Sequence, residues 1–159
     1  MLRYQGLVRG FLRQLAPEHA DDLAQETFLS AYRRIDRFRG DAKFSTWLVS
    51  IAYNALRQLQ RSRMHQRKIV SALQLEPSAA SIEDGQTSAH GALTHDLETL
   101  LGWLDDDERV TMVLSYAHEY SHREIANITG MPIGTVKSKL ARAKVKLLDR
   151  LKVSEMQHA

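Results

Sequence analysis

Residues 122–140 read HREIANITGMPIGTVKSKL, and the pattern of this segment is the main evidence for how the C-terminal part of the chain folds. Ala126 is the small residue that a close crossing of two helices needs. Gly130, four positions later, tolerates the positive φ of a tight turn. Pro132 suits a helix start, where its missing N–H costs nothing. The stretch therefore predicts a helix-turn-helix.

The second helix of this motif has one apolar face and one basic face. An apolar stripe at three- and four-residue spacing is expected to face the core: Val136, Leu140, Ala143, Leu147 and Leu151. The other face is basic or short and polar, with no acid before Asp149: Thr135, Lys137, Ser138, Lys139, Arg142, Lys144 and Lys146. The helix macrodipole explains cations near the helix end but not Lys137 and Lys139 near its start. This face predicts DNA binding.

A further helix is predicted just before the motif. The acids at 105–108 suit an N-cap and a first helical turn. His118 and His122 have the i, i+4 spacing of two metal ligands, but Ser121 is expected to begin a new helix between them. No further ligands cluster nearby, so we expect no metal site and no cofactor.

The N-terminal half contains an amphipathic stretch, DDLAQETFLSAYRRI, at residues 21–35. Its predicted core stripe is Leu23, Phe28, Ala31 and Ile35. The opposite face carries Asp22, Gln25, Glu26, Leu29 and Arg33. From the residues alone, this face is either ordinary surface or a partner contact.

The next stretch, RFRGDAKFSTW at residues 37–47, runs into a helix expected to reach about Arg63. We expect its core face to be Leu48, Ile51, Ala52, Ala55 and Leu59, with Phe44 also packed inside. Its other face interleaves an aromatic ring with polar and basic residues: Trp47, Ser50, Asn54, Arg57 and Arg61. Aromatic and basic side chains together suit unstacked bases and their phosphates, so this face predicts a nucleic-acid surface.

Long stretches follow a helical period and strand-like alternation is not sustained anywhere, which predicts an all-α chain. We expect two small helical domains joined by a flexible linker. We expect an N-terminal domain at 1–67, a linker at 68–92 rich in turn-forming residues, a C-terminal domain at 93–153 and a tail at 154–159. The chain has no cysteine, no apolar run long enough to span a membrane and no signal-like N-terminus. A cytoplasmic protein without membrane insertion is expected.

Charge is divided along the chain. Residues 1–68 carry a net charge of +7, residues 69–124 a net charge of −9, and residues 125–159 a net charge of +5. Two basic ends suit two contacts with a polyanion. One hypothesis is that the acidic linker folds over the basic surfaces as self-inhibition, which deletion of residues 74–88 would test.

Taken together, three motifs resemble the extracytoplasmic-function sigma factors of bacterial RNA polymerase. The strings DDL-x-QETF at 21–28 and FRGD-x-x-FSTWL at 38–48 resemble the second conserved region of that family. The string GTVKSKL-x-RA at 134–143 resembles its fourth region. The motifs cover most of both predicted domains, in the family's order.

The resemblance implies partners and roles for particular residues. RNA polymerase core would be bound through the clamp helices of β′ by Asp22, Gln25, Glu26, Leu29 and Arg33, and also through the β flap. The melted −10 element of promoter DNA would be captured by Arg39, Gly40, Asp41, Lys43, Ser45, Trp47, Asn54, Arg57 and Arg61. The −35 element would be read by Arg123, Thr135, Lys137, Ser138, Lys139, Arg142 and Lys146. An anti-sigma factor is a further implied partner.

The sequence departs from the family pattern at three places. The N-terminal segment before Pro17 is short, so we expect either that the first helix is curtailed or that the start codon is misplaced. Thr129 stands where the family usually has leucine, and Lys139 stands where arginine is frequent. Lysine cannot make the bidentate contacts that arginine makes.

One alternative is a dimeric helix-turn-helix regulator that binds duplex DNA without being a polymerase subunit. It accounts for the C-terminal motif but leaves the aromatic and basic stretch at 37–47 unexplained. An enzyme is not expected, because the sequence has no glycine-rich phosphate loop, no nucleophile motif and no clustered metal ligands.

Overall fold

The computed structural model describes residues 2–73 and 99–158, and the residues in these two ranges form helices joined by short turns. The N-terminal part consists of α1 (Gln5–Leu15), α2 (Ala20–Arg33) and α3 (Phe44–Leu73), with 3₁₀ turns at Leu2–Tyr4, Pro17–His19 and Ile35–Arg37. The C-terminal part has a helical segment at 99–102, then α4 (Asp106–Met112), a π-helical turn (Val113–Ala117), α5 (His122–Thr129) and α6 (Ile133–His158). The predicted all-α fold with two small domains is confirmed.

The N-terminal domain is a three-helix unit in which α1, α2 and α3 each pack against the other two. Its centre is fully buried and apolar: Val8, Phe11 and Leu12 of α1, Ala31 of α2, and Leu48, Val49, Ala52 and Leu56 of α3. Each large side chain buried in this way stabilises the fold by about 1.5–3 kcal/mol. Thr27 is also fully buried, and its hydroxyl donates to the Leu23 carbonyl at 2.6 Å, so this polar group is paired inside the core.

The C-terminal domain packs α4 and α5 against α6. The predicted helix starts are confirmed, since both Asp105 and Ser121 form capping boxes with a glutamate three residues later. Gly130 ends α5 with a φ of +73°, as the turn requires. The buried hydroxyl of Thr129 donates to the Ile125 carbonyl at 2.7 Å and accepts the Met131 N–H at 3.3 Å. Thr129 therefore has both a hydrogen-bond acceptor and a donor for its buried hydroxyl at the turn between α5 and α6.

Two of the predicted core positions lie at the surface instead. Val136, Leu140 and Ala143 are buried as expected, but Leu151 is 43 % exposed because α6 extends past the body of its domain. Ile35 is 42 % exposed, because α2 ends at Arg33 and the 3₁₀ turn breaks the helical period.

Both long helices extend past the predicted domain boundaries. The predicted linker starts at residue 68, but α3 continues to Leu73. No glycine or proline stands between Phe44 and Leu73, so nothing local ends the helix earlier. Most of the predicted linker, from residue 74 onward, lies outside the described residues. At the other end, α6 continues into the predicted tail and reaches His158.

Candidate functional site

The start of α6 presents exposed polar and basic side chains. Together with Arg123 at the start of α5 they form what we call the recognition surface (Arg123, Thr135, Lys137, Ser138 and Arg142). All of these residues are exposed except Thr135, which is half-buried. The Arg142 guanidinium donates to the hydroxyl of Ser138 at 3.3 Å, and that hydroxyl lies 2.9 Å from the Thr135 carbonyl. These contacts hold Arg142 beside Ser138 on the outer side of the helix, where its remaining donors can reach a ligand.

Two other predicted DNA contacts of α6 are engaged by carboxylates of their own domain. The Lys139 ammonium lies 3.1 Å from Asp105 and 3.6 Å from Asp107, and its side chain is only 17 % exposed. The Lys146 ammonium lies 2.6 Å from the carboxylate of Glu108, which is 1 % exposed. Both ion pairs fasten the start of α4 to α6, which fixes how the recognition surface is presented.

Hydrogen bonding at Asp105 stabilises the charged forms of the first of these pairs. Burial would raise the pKa of Asp105, but hydrogen bonds from the Glu108 N–H and from Lys139 hold it below its ordinary value. Burial would lower the pKa of Lys139, but its hydrogen bond with Asp105 raises it above the ordinary value. Both groups are therefore ionised at neutral pH.

A second surface, the strand-capture surface, consists of the loop at 38–43 and the outer face of α3 with Ser45, Trp47, Asn54, Arg57 and Arg61. Four aromatic rings support its loop: Phe38, Phe44 and Trp47 lie 5.2–5.4 Å apart between ring centroids, and Tyr4 lies 5.2 Å from Phe44. Gly40 turns the loop with a φ of +78°. Trp47 is half-buried in this cluster, so it both supports the loop and leaves part of its ring accessible.

The polar side chains of the strand-capture surface lie outside the core. Arg39, Gly40, Asp41 and Lys43 are exposed on the loop, Ser45 is half-buried, and Asn54, Arg57 and Arg61 are exposed on α3. The sequence did not single out Tyr53, which is buried at 3 % exposure beneath this face. Its hydroxyl accepts a hydrogen bond from Arg57 at 3.4 Å, and the guanidinium lies 5.8 Å above its ring centroid. Tyr53 therefore orients Arg57.

The third surface is the outer face of α2, where Asp22, Gln25, Glu26, Leu29 and Arg33 are all exposed, as predicted. Leu29 is 51 % exposed and belongs to an apolar strip, because Tyr32 beside it is 70 % exposed. A cleft of about 500 Å³ runs between this face and α1, where an ion pair joins Arg9 to Asp21 at 3.4 Å. Tyr32 was not among the residues predicted for this face. Its i, i+3 spacing from Leu29, off the core stripe, places it on the same side of α2 and could have indicated it.

Within the described ranges, no group of three or more histidine, aspartate or glutamate side chains could hold a metal ion. No described helix is long and apolar enough to cross a membrane.

Comparisons with known proteins match both halves of the chain. Residues 1–67 match the family model for sigma-70 region 2, and residues 94–147 match the model for sigma-70 region 4. The ECF RNA polymerase sigma-E factor of Salmonella typhimurium is 31 % identical over 153 residues, covering 91 % of this chain and 80 % of that protein.

Two solved structures resemble the whole chain. One is the sigma factor RpoE in complex with the anti-sigma factor NepR from Bartonella quintana, with a TM-score of 0.75 and 28 % identity, covering 96 % of this chain and 94 % of that one. The other is CnrH in complex with the cytosolic domain of CnrY, with a TM-score of 0.69 and 26 % identity, covering 96 % of this chain and 84 % of that one. The chain therefore belongs to the extracytoplasmic-function sigma factors, the alternative subunits that direct bacterial RNA polymerase to promoters.

Proposed function

We propose that the three surfaces divide the work of promoter recognition. The outer face of α2 binds the clamp helices of the polymerase β′ subunit, the recognition surface binds the −35 element, and the strand-capture surface binds the melted −10 strand. The observation that supports this division most strongly is that one chain carries an aromatic and basic loop-helix in addition to a helix-turn-helix. Duplex recognition alone does not need the first of these.

The α2 face suits a protein partner because it combines charge with exposed apolar surface. Leu29 and Tyr32 supply apolar area that a partner can cover, and the surrounding charges of Glu26 and Arg33 supply specificity. Replacing Glu26 with lysine is expected to reduce binding to core polymerase in a pull-down, because it reverses one charge of the face. Replacing Glu119, an exposed acid of the other domain, with lysine is the matched control. Wild-type affinity of the Glu26→Lys variant would contradict this interface.

The strand-capture surface suits single-stranded DNA because it offers aromatic and hydrogen-bonding groups beside cations. A base leaving the stack can be read on its edges by groups such as Asn54, while Arg57 and Arg61 hold the backbone. Binding energy that is delivered only to the opened strand favours melting by shifting a population.

The decisive experiment is reconstitution with purified core polymerase. We expect the protein to confer promoter-specific initiation on core, which by itself starts nonspecifically. A dimeric regulator that acts without joining the polymerase would instead bind duplex DNA and leave initiation by core unchanged. That second outcome would contradict the proposed function.

An anti-sigma factor is proposed as a further partner, on the basis of the two complexes that the chain resembles. Such an inhibitor is expected to compete with core polymerase for the chain. A specific partner that binds the chain together with core, without reducing initiation, would contradict an inhibitory role.

A further inference from the structure

Two aromatic side chains of the C-terminal domain contact cations of α6. The Lys144 ammonium lies 5.3 Å from the ring centroid of Tyr116. The Arg150 guanidinium lies 5.9 Å from the ring centroid of Trp103. Both distances are within the range of about 6 Å for cation–π contacts. Neither cation forms a salt bridge with a described residue, so these rings are the partners that the domain provides for the two charges.

Trp103 is fixed at the end of the helical segment at 99–102. Its neighbours Leu101 and Leu104 are both buried. The guanidinium of Arg109, on α4, donates to the Leu101 carbonyl at 3.0 Å and to the Leu104 carbonyl at 3.4 Å. The backbone on both sides of Trp103 is therefore tied to α4, which gives the ring a fixed place beside α6.

Tyr116 lies in the π-helical turn at Val113–Ala117, where the backbone departs from the α-helical period. The turn buries Val113 and Leu114, whereas Tyr116 is 55 % exposed. An aromatic ring that stays largely in water adds little to the stability of the core. Core packing therefore does not explain the position of Tyr116, whereas its contact with Lys144 does.

The two ring contacts lie on opposite sides of the buried stripe of α6. At about 3.6 residues per turn, Ala143 and Leu147 fall between positions 144 and 150 around the helix axis. Ala143 is fully buried, and Leu147 packs against the core. Burial of this stripe is not directional. A contact on each side of it opposes rotation of the helix about its axis in both directions.

The two sides of the stripe are not equally well held. The salt-bridged residues Lys139 and Lys146 share one face of α6 with Arg150, because their spacings are seven and four residues. On the side of Lys144, no salt bridge joins α6 to the described part of the domain. Loss of the Tyr116 ring is therefore the loss that other contacts compensate least.

We propose that Trp103 and Tyr116 are positioning residues for recognition of the −35 element, because they set the rotation of α6 and so decide which of its side chains face DNA. This inference rests on the proposed role of the recognition surface. Hydrogen bonds to base edges weaken steeply with misalignment, so a small rotation that moves Ser138 and Arg142 together lowers discrimination between base sequences. The charge of Lys144 serves the domain rather than a DNA phosphate.

The test compares two duplexes bound by holoenzyme that is reconstituted from core polymerase and each variant. The first duplex is one that the wild-type holoenzyme selects from a random-sequence library, and the second has base substitutions in its −35 element. Tyr116→Leu and Trp103→Leu remove the rings, whereas Tyr116→Phe and Trp103→Phe keep a ring at each position. Lys152→Met removes an exposed cation of α6 outside both ring contacts and serves as the control.

We expect the affinity ratio between the two duplexes to fall about two- to fivefold in each leucine variant, as for the loss of one exposed cation–π contact. The phenylalanine variants and Lys152→Met should keep the wild-type ratio. Both affinities come from one preparation, so a lower folded fraction does not change their ratio, and a role in stability alone leaves it constant. A wild-type ratio in either leucine variant, or an equal loss in the phenylalanine variants, would overturn the proposal.

The salt dependence of affinity distinguishes the cations that hold α6 from those that contact DNA. Lys137→Met should reduce the slope of log affinity against log salt by about 0.9, as for one lost phosphate contact. Lys144→Met should keep the wild-type slope, and a reduced slope would overturn the proposal. If Lys137→Met and Arg142→Ala both kept the wild-type slope and affinity, the recognition surface would not contact DNA, and the proposed function would be contradicted whatever the ring variants showed.

Discussion

The recognition surface and the strand-capture surface differ in how their cations are held. Of the four α6 cations predicted to contact DNA, Lys139 and Lys146 are bound by acids of their own domain. The other two, Lys137 and Arg142, have no such pair among the described residues. On the N-terminal surface, the acid that pairs with Lys43 comes from the other domain. Some cations of α6 therefore hold the helix in place and others remain available to DNA. On the strand-capture surface, Lys43 could give up its carboxylate partner for a DNA phosphate.

The largest expected effect is a loss of stability of the C-terminal domain when an ion pair that holds α6 is removed. Glu108→Ala removes a buried carboxylate that caps α4 and binds Lys146 at 2.6 Å. We expect a loss of about 2–4 kcal/mol in the free energy of unfolding of the C-terminal domain, because a cap and a charge-assisted bond are lost together. Urea unfolding followed by Trp103 fluorescence, in a Trp47→Phe background, measures it.

Glu108→Gln is the matched control, because an amide oxygen still accepts the capping hydrogen bond. It should lose less stability than the alanine variant. A typical surface substitution changes stability by about 0.5 kcal/mol or less. If Glu108→Ala cost no more than that, the ion pair between Glu108 and Lys146 would not fix α6, and this difference between the two surfaces would be contradicted.

The next largest effect is on DNA affinity, and it distinguishes cations of α6 that are in ion pairs from those that are not. Arg142→Ala should weaken binding to a duplex −35 element by about 1–3 kcal/mol, the usual value of one base contact. Lys139→Met should weaken it less, because the Lys139 ammonium is held by Asp105 and Asp107 and the side chain is 17 % exposed. Mobility-shift titrations at fixed salt provide the measurement. If both variants lost equal affinity, Lys139 would be a DNA contact after all, as the sequence pattern predicts.

A smaller effect distinguishes strand opening from duplex binding. Asn54→Ala and Arg57→Ala should reduce permanganate reactivity of the −10 region in the polymerase complex severalfold, while duplex binding stays near the wild-type level. Arg67→Ala, on the same helix but beyond the strand-capture surface, is the control. Equal losses in opening and in duplex binding would mean that this face contacts duplex DNA only.

Much of the fold was predictable because local signals agree with tertiary packing. The capping boxes at Asp105 and Ser121 and the positive φ of Gly130 are written in short-range sequence. The surfaces on α2, α3 and α6 follow from helical periodicity, and the residues assigned to DNA and polymerase remain predictions. Periodicity shows which face of a helix is exposed, but it does not show which partner that face binds.

The rest depends on contacts between residues far apart in the chain. Lys139 and Asp105 are 34 positions apart, and Lys43 and Glu124 are 81 apart, so no local pattern pairs them. Tyr53 is similar: a tyrosine in an apolar helix reads as core, and only the structure shows its hydroxyl against Arg57. Helix ends were also missed where no breaking residue marks them, as at Leu73.

The smallest expected effect is a pH dependence of the packing between the two domains, where the His118 ring lies edge-on against Phe11 of α1. Burial lowers the pKa of His118 below its ordinary value of 6.5, so this packing favours the neutral ring. The stabilisation is complete above the ordinary pKa and is lost as the pH falls below 6.5 toward the lowered pKa. The ratio of molecules with packed domains to molecules with separated domains should therefore fall on acidification, by at most about tenfold per pH unit for one proton.

His118→Phe isolates this effect, since phenylalanine can keep the edge-on contact with Phe11 but cannot bind a proton. Interdomain distances measured between pH 8 and pH 5.5 should respond less to pH in this variant than in the wild type. The other six histidines are common to both proteins, so the difference between the two curves belongs to His118. Parallel curves would show that the contact between the domains tolerates a charged ring at this position.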